Sequence, residues 1–373
     1  MKILMVSKAC YLAAYRKKLE EMAALPGVDL TLIVPPYWQM GKKRAVLEQG
    51  PAGGYQMIVD NPLLNGHFHL HFYPRLAGLL SRIRPDILHI DEEPYDLVTF
   101  HATRLALRHG AKVVFFTWQN LWKKFPLPFG LMERHVLRRA HGAIAGSVSA
   151  AEILQRKGFR GPLAIIPQFG VDPEVFRPMP VAKAPRPFTI GFAGRLVREK
   201  GLHLMLEAAA GLEGDWRILV VGEGPLRQQL EAAAARLGVR AKVEFVGGTP
   251  SAEMPSRYRE MDVLVLPSFT VPHWKEQFGR VIIEAMACGL PVVGSDSGEI
   301  PHVMGEAGLV FPEGDVPALR SALACLMESP DLRSELGRMG RQRVLAHYTQ
   351  KRIAEETYAF YERVLGCNVV RAT

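Results

Sequence analysis

Six short runs in the first half of the chain, residues 2–7, 29–34, 86–91, 112–117, 142–147 and 163–167, are almost continuously apolar and rich in Val, Ile and Phe. Runs of that length without polar alternation predict parallel strands buried on both faces. Helical patterns separate them. Over 11–24, Leu12, Tyr15, Leu19, Met22 and Ala23 form one stripe, which leaves Arg16, Lys17 and Lys18 off it and predicted to be exposed. The second half repeats the rhythm with 189–194, 217–222, 242–246, 262–267, 291–295 and 309–311. Such alternation predicts two Rossmann-like, doubly wound α/β domains. A proline-dense stretch, 173–187, reads as the linker between them. The expected domains are therefore 1–180 and 186–345. A helical pattern over 346–373 either ends the second domain or crosses back to the first. Open parallel sheets bind ligands beyond the carboxyl ends of their strands, so the two domains are predicted to face each other across a cleft.

Composition narrows the class. At ~100–200 residues per domain, 373 residues fit two domains. Hydrophobic residues make up 48% and charged residues 22%, a globular balance. No stretch approaches the ~18 consecutive apolar residues of a spanning helix. The first apolar run is too short for a signal peptide and reads as a first strand. Cys10, Cys288, Cys325 and Cys367 are scattered, with no C-x-x-C pair. A reducing cytoplasm is the expected location, with a peripheral position at the inner membrane face as a variant.

The net charge of +9 is uneven. Residues 1–185 carry 24 Lys and Arg against 14 Asp and Glu, whereas 186–373 carry 22 against 23. A basic half suits an anionic partner, a membrane surface or an acidic small molecule, or is simply a solvated face. Its clusters lack a groove-reading or stacking pattern, so nucleic acid is not expected.

Three stretches carry candidate chemistry. Gly191-Phe192-Ala193-Gly194-Arg195 follows a strand, and Lys200-Gly201 opens the next helix. Two cations near one helix N-terminus suit a diphosphate, although surface cations after a strand are also common. Gly222-Glu223-Gly224-Pro225 is another glycine turn, without the G-x-G-x-x-G spacing of a dinucleotide fingerprint. The third stretch, from Glu276 to Pro291, contains two carboxylates. Eight positions apart, they would not share one helical face. Glu276 is therefore predicted in a loop and Glu284 inside a helix starting near Gly279. The backbone N–H groups of Phe278 and Gly279 then offer a second phosphate cradle. Glu284, in an apolar run, needs partners: a vicinal diol such as a ribose would serve, and so would an i,i+4 ion pair with Arg280.

Gly194-Arg195, Lys200-Gly201 and the run Glu276-Gln277-Phe278-Gly279-Arg280-Val281-Ile282-Ile283-Glu284 together resemble the retaining glycosyltransferases of family four, which have the GT-B fold. Gly170-Val171-Asp172-Pro173-Glu174 is similar to that family as well. The resemblance spans nearly the whole chain and is strongest over 186–315. It implies a retaining transfer of a sugar from a nucleotide-diphospho-sugar, such as a UDP- or GDP-sugar, to a hydroxyl acceptor, with no cofactor and no metal. It further implies that Arg195 and Lys200 hold the diphosphate, Glu276 contacts the donor sugar, Phe278 and Gly279 offer backbone donors, Glu284 binds the ribose, and Val246-Gly247 lie near the base. Front-face attack, with the departing phosphate taking the acceptor's proton, is the mechanism so implied.

Two positions depart from the family's pattern. The loop after the first strand reads Ser7-Lys8-Ala9-Cys10-Tyr11 where a glycine pair is common. Trp118-Gln119-Asn120 stands where a histidine is common. Gln119 can hydrogen-bond a sugar hydroxyl but cannot shuttle protons. Asp91 and Glu92, at a strand end, are candidates for acceptor or sugar hydroxyls, as are Gln119 and Asn120. His67, His69 and His71 would share one face if they lay on a strand, but no fourth metal ligand is evident. Two alternatives remain: a catalytically silent binder of sugar-nucleotides or membrane surfaces, and an epimerase or hydrolase on the same scaffold.

Overall fold

A computed structural model describes residues 1–50, 53–178 and 186–366. Part of the proline-rich linker, 179–185, and Cys367 lie outside the described residues. The chain divides into two compact units: Met1–Gly170 with the segment from Gln350, and Val171–Thr349. The boundary thus falls at Gly170, ahead of the linker prolines.

In the first unit the elements are β1 (Lys2–Val6), α1 (Ala13–Ala23), β2 (Asp29–Val34), β3 (Tyr37–Met40), β4 (Lys43–Val46), β5 (Gln56–Val59), α2 (Leu76–Ile83), β6 (Ile87–Ile90), α3 (Leu97–His109), β7 (Lys112–Thr117), α4 (Phe129–Arg139), β8 (Gly142–Ala145), α5 (Val148–Arg156) and β9 (Leu163–Ile165). Seven strands form one sheet in the order β5-β2-β1-β6-β7-β8-β9, all parallel. The order reverses between β1 and β6. The sequence pattern did not reveal β5 or the antiparallel β3–β4 hairpin. These strands are half exposed, so they lack the continuous apolar run of a buried strand.

The second unit holds β10 (Phe188–Ala193), α6 (Leu202–Ala210), β11 (Trp216–Val221), α7 (Arg227–Arg236), β12 (Val243–Val246), α8 (Met254–Arg259), β13 (Val263–Leu266), α9 (Arg280–Ala287), β14 (Val292–Ser295), α10 (Ile300–Met304), β15 (Leu309–Phe311), α11 (Val316–Glu328) and α12 (Pro330–His347). Its six strands run β12-β11-β10-β13-β14-β15, again all parallel, and reverse between β10 and β13. All six residues of β10 are buried, as a central strand covered by helices on both faces requires.

The last helix, α13 (Gln350–Leu365), belongs to the first unit and packs along α1. Its Ile353, Ala354, Phe360 and Tyr361 share a core with Leu19 and Met22 of α1. One expectation is overturned: Arg16 and Lys18 are buried, at 2% and 3% exposure. Arg16 donates to the Glu48 carbonyl at 2.8 Å, and Lys18 donates to the Gln168 carbonyl at 3.0 Å. An amphipathic stripe identifies the face that meets the sheet. It carries no information about cover supplied by other segments, here those carrying Glu48 and Gln168.

The three alternating histidines are not on a strand. Residues 64–70 form consecutive turns, with Leu70 N and His71 N both donating to His67 O, and Gly66 sits at φ +93°. His69 and His71 go separate ways. His69 Nδ1 pairs with Asp96 Oδ1 at 2.7 Å, while His71 is buried against Trp38 and Tyr73. Among the described residues no group of His, Cys, Asp and Glu could hold a metal ion.

Candidate functional site

In the second unit the candidate residues gather at the carboxyl ends of β10 to β13. The chain leaves β10 through Gly194 and Arg195, makes a single 3-10 turn over Arg198–Lys200, and enters α6 through Gly201 at φ +69°. A side chain at Gly201 would meet the Pro267 carbonyl at 1.8 Å, so only glycine lets this turn close against the end of β13. Gly222 is equally tight: a Cβ would lie 1.9 Å from the Gly194 carbonyl. The two glycine turns singled out in the sequence are therefore in contact.

That close approach places Lys200. Its ammonium lies 2.5 Å from Glu276 Oε2 and 5.2 Å from the ring centre of Trp274. Ser268, just beyond β13, donates to the same carboxylate oxygen at 2.9 Å. The Glu276 side chain is only 8% exposed, so the pair is well sheltered from solvent. The loop that carries it is braced by paired backbone bonds between Val271 and Trp274, and Glu299 N donates to Glu276 O at 3.2 Å. Arg195 is exposed, and its carbonyl accepts from Val197 N.

The helix expected near Gly279 is α9, with Gly279 as its N-cap at φ +77°. Phe278 is buried and meets Tyr348 edge-on at 5.8 Å. Glu284 lies inside the helix at 4% exposure. Its carboxylate accepts from the Tyr258 hydroxyl at 2.8 Å and pairs with Arg280 Nε at 3.0 Å. Burial holds the Glu284 carboxyl above the usual carboxylate range, with Arg280 and Tyr258 pulling the other way. The i,i+4 pair with Arg280 is thus formed. At the far side of the sheet, Val246 ends β12 and Gly247 follows. Gly248 N donates to Glu223 Oε1 at 3.1 Å, which ties this loop to the second glycine turn.

In the first unit, the switch point between β1 and β6 holds a buried polar cluster. Asp91 accepts from Ser7 Oγ at 2.6 Å and is 3% exposed. Burial raises its carboxyl to about 6 despite nearby Lys18. Glu92 pairs with the Lys8 ammonium and accepts from Lys8 N at 3.1 Å. Burial raises this carboxyl too, against the pull of Lys8. Gln119 is engaged through both amide atoms: its Oε1 accepts from Lys157 Nζ at 3.1 Å and its Nε2 donates to Leu121 O at 3.3 Å. Asn120 is buried beside it.

Several residues of this geometry were not singled out from the sequence. Ser268 and Tyr258 anchor the two acidic residues of the second unit. Glu93 receives Thr117 Oγ1 at 2.6 Å and Trp118 N at 2.8 Å, and burial lifts its carboxyl to about 7. It joins the ends of β6 and β7 and orients the Trp118–Asn120 loop. Ser268 could have been suspected as the polar residue after a strand. Tyr258 carried no signal, because its partner lies on another helix.

The chain matches the family description Glycosyl transferases group 1 over residues 179–343 and the Glycosyl transferase 4-like domain over 13–168. It is 31% identical over 291 residues to 2-deoxystreptamine glucosyltransferase from Streptomyces kanamyceticus, covering 73% of this chain and 71% of that relative. It is 32% identical over 306 residues to a GDP-mannose-dependent alpha-(1-6)-phosphatidylinositol monomannoside mannosyltransferase from Mycolicibacterium smegmatis, covering 74% and 77%. Similar solved structures include sucrose-phosphate synthase from Thermosynechococcus elongatus, with a TM-score of 0.71, 21% identity and coverage of 99% and 100%. HepE from Anabaena in complex with UDP has a TM-score of 0.72, 18% identity and coverage of 97% and 100%. Two parallel-sheet units, the Lys200–Glu276 pair and these similarities lead to one conclusion: the chain belongs to the glycosyl transferases group 1 family and is a glycosyltransferase with the GT-B fold.

Proposed function

We propose that the protein transfers a sugar from a nucleoside diphospho-sugar to a hydroxyl acceptor with retention of anomeric configuration and without a metal ion. The observation that carries this reading is the sheltered Lys200–Glu276 pair at the switch point of the second sheet. The donor reading is supported by the mycobacterial relative, which is named as GDP-mannose-dependent, and by HepE, which binds UDP.

In this scheme Lys200 and Arg195 stabilise the negative charge that grows on the departing diphosphate, the task a metal performs elsewhere. Glu276, oriented by Lys200 and Ser268, binds hydroxyls of the donor sugar. Phe278 and Gly279 offer backbone N–H groups at the start of α9. Glu284 turns from Arg280 to the ribose hydroxyls, and Val246-Gly247 border the base. The bond from the anomeric carbon to phosphate oxygen breaks, the acceptor oxygen bonds that carbon on the same face, and the acceptor proton passes to the leaving phosphate. Asp91, Glu92, Gln119 and Asn120 contact acceptor or sugar hydroxyls in the first unit. The basic first half associates with an anionic membrane surface. Among the described residues no helix is long and apolar enough to cross a membrane.

The test is a turnover assay with UDP- and GDP-sugars against a panel of hydroxyl acceptors, reading released nucleoside diphosphate and the anomeric configuration of the product. An inverted product would overturn retention. Full activity in the presence of EDTA is expected.

A further inference from the structure

The first unit contains a cavity of about 690 Å³ formed by the 122–125 loop, α4 and the end of α5. Lys123, Lys124, Arg134, Arg138, Arg156 and Lys157 line it, against one carboxylate, Glu133. Glu133 is already committed, because its Oε1 lies 2.5 Å from Lys157 Nζ. Among the described residues no carboxylate pairs with Lys123, Lys124, Arg134 or Arg138. Arg134 and Arg138 stand one turn apart on α4, where like charges repel. Such an array is stabilised by an incoming anion, not by the protein's own acids.

Two features make this a built site. Lys157 has a side chain only 7% exposed and is held from three sides: by Glu133, by Gln119 Oε1 at 3.1 Å, and by the Phe125 ring, whose centre is 4.8 Å from the ammonium. Arg156 stacks over Trp122 at 5.1 Å, which orders a second cation at the rim. Gln119, proposed above as an acceptor contact, is thus joined to the cavity through a single side chain.

We infer that this cavity binds a phosphate group carried by the acceptor, so that the hydroxyl to be glycosylated arrives on a phosphorylated molecule. The inference rests on the glycosyltransferase reading for the word acceptor, but the phosphate site itself does not depend on it. The phosphate comes either from a soluble phosphomonoester or from a lipid headgroup. Leu127 and Leu131, at 75% and 53% exposure on the same loop and helix, suit the latter.

Binding is measured directly, without turnover, in the full chain carrying Arg195→Ala and Lys200→Ala to remove the donor-phosphate site. The probes are glycerol phosphate, by calorimetry, and phosphatidylcholine vesicles with and without phosphatidylglycerol, by cosedimentation. Adding Lys124→Ala, Arg134→Ala and Arg138→Ala should lower affinity for the responsive probe about 100-fold. Adding Lys42→Ala, Lys43→Ala and Arg44→Ala, which remove the same charge from the exposed β3–β4 hairpin, should lower it about threefold or less. If the triple cavity variant does not fold, Arg134→Gln and Arg138→Gln singly carry the same comparison. Selective binding of glycerol phosphate assigns a soluble acceptor, and selective binding of anionic vesicles assigns a lipid-borne one. Binding of neither probe, or equal losses from cavity and hairpin variants, overturns the site. Failure of nucleotide-sugar turnover would overturn the enzymatic reading and leave this result standing.

Discussion

A Cβ on Gly298 would stand 2.0 Å from the carbonyl oxygen of Glu276. The backbone of the loop after β14 thus lies directly against the backbone of the acidic residue, and only a glycine, here at φ +56°, fits between them. Together with the Glu299 N–H bond to Glu276 O, this contact fixes where the carboxylate begins, while Lys200 and Ser268 fix where it ends. A side chain held at both ends has little freedom left to lose, which suits the sugar-binding role proposed for Glu276.

Glu276→Gln keeps the size of the side chain and removes its charge. The kcat for sugar transfer should fall by about 100-fold or more, the scale of losing one preorganised charged contact at the reacting centre. The melting temperature should change little. Steady-state kinetics with circular dichroism check both, and a variant with full kcat would remove Glu276 from the chemistry.

Lys200→Ala takes away a half-buried ammonium proposed to meet the donor diphosphate. The Kd for UDP or GDP should rise about 10- to 100-fold, the usual worth of a charge-assisted hydrogen bond. Calorimetry with the free nucleoside diphosphate reads this directly. Unchanged affinity would mean that Lys200 serves only to hold Glu276.

Gly201→Ala forces a methyl group into the Pro267 carbonyl and a residue into the left-handed region. Backbone strain of this kind costs about 1–3 kcal/mol before the clash is counted. Thermal unfolding should shift downward, and nucleotide affinity should fall with it because Lys200 is the adjacent residue. A variant as stable as the parent would contradict the close approach of these two backbones.

Glu93 supplies a pH signature. Burial raises its carboxyl to about 7 from an ordinary 4.5, so between these values the folded chain holds a proton that the unfolded chain has released. Stability from this group is therefore complete at low pH and is lost as pH rises through about 7. Asp91, raised to about 6 from 3.8, acts with the same sign. Glu93→Gln should flatten the fall in stability between about pH 4.5 and 7, measured by chemical denaturation at several pH values. An unchanged slope would show that other groups carry it.

Most of the fold was legible before any coordinates. Predicted runs 29–34 and 112–117 coincide with β2 and β7, because strands buried on both faces are written as nearly unbroken apolar runs. The loop position of Glu276 and the helical position of Glu284 followed from helix geometry and glycine placement alone. Hairpin β3–β4 and strand β5 did not show, since half-exposed strands need no such run.

Local chemistry, then, is written along the chain: which residues are apolar, where glycine permits a turn, which strand ends carry Lys200, Glu276 or Asp91. Tertiary structure alone decided which of these meet. The 2.5 Å pair across 76 positions, the burial of Arg16 against the Glu48 segment and of Lys18 against Gln168, and the link from Gln119 through Lys157 to a basic cavity all arise between elements. The physical reason is that periodicity reports only the environment of one element's own faces. Pairing between distant residues depends on sheet order and on how closely two backbones approach, and a one-dimensional pattern records neither.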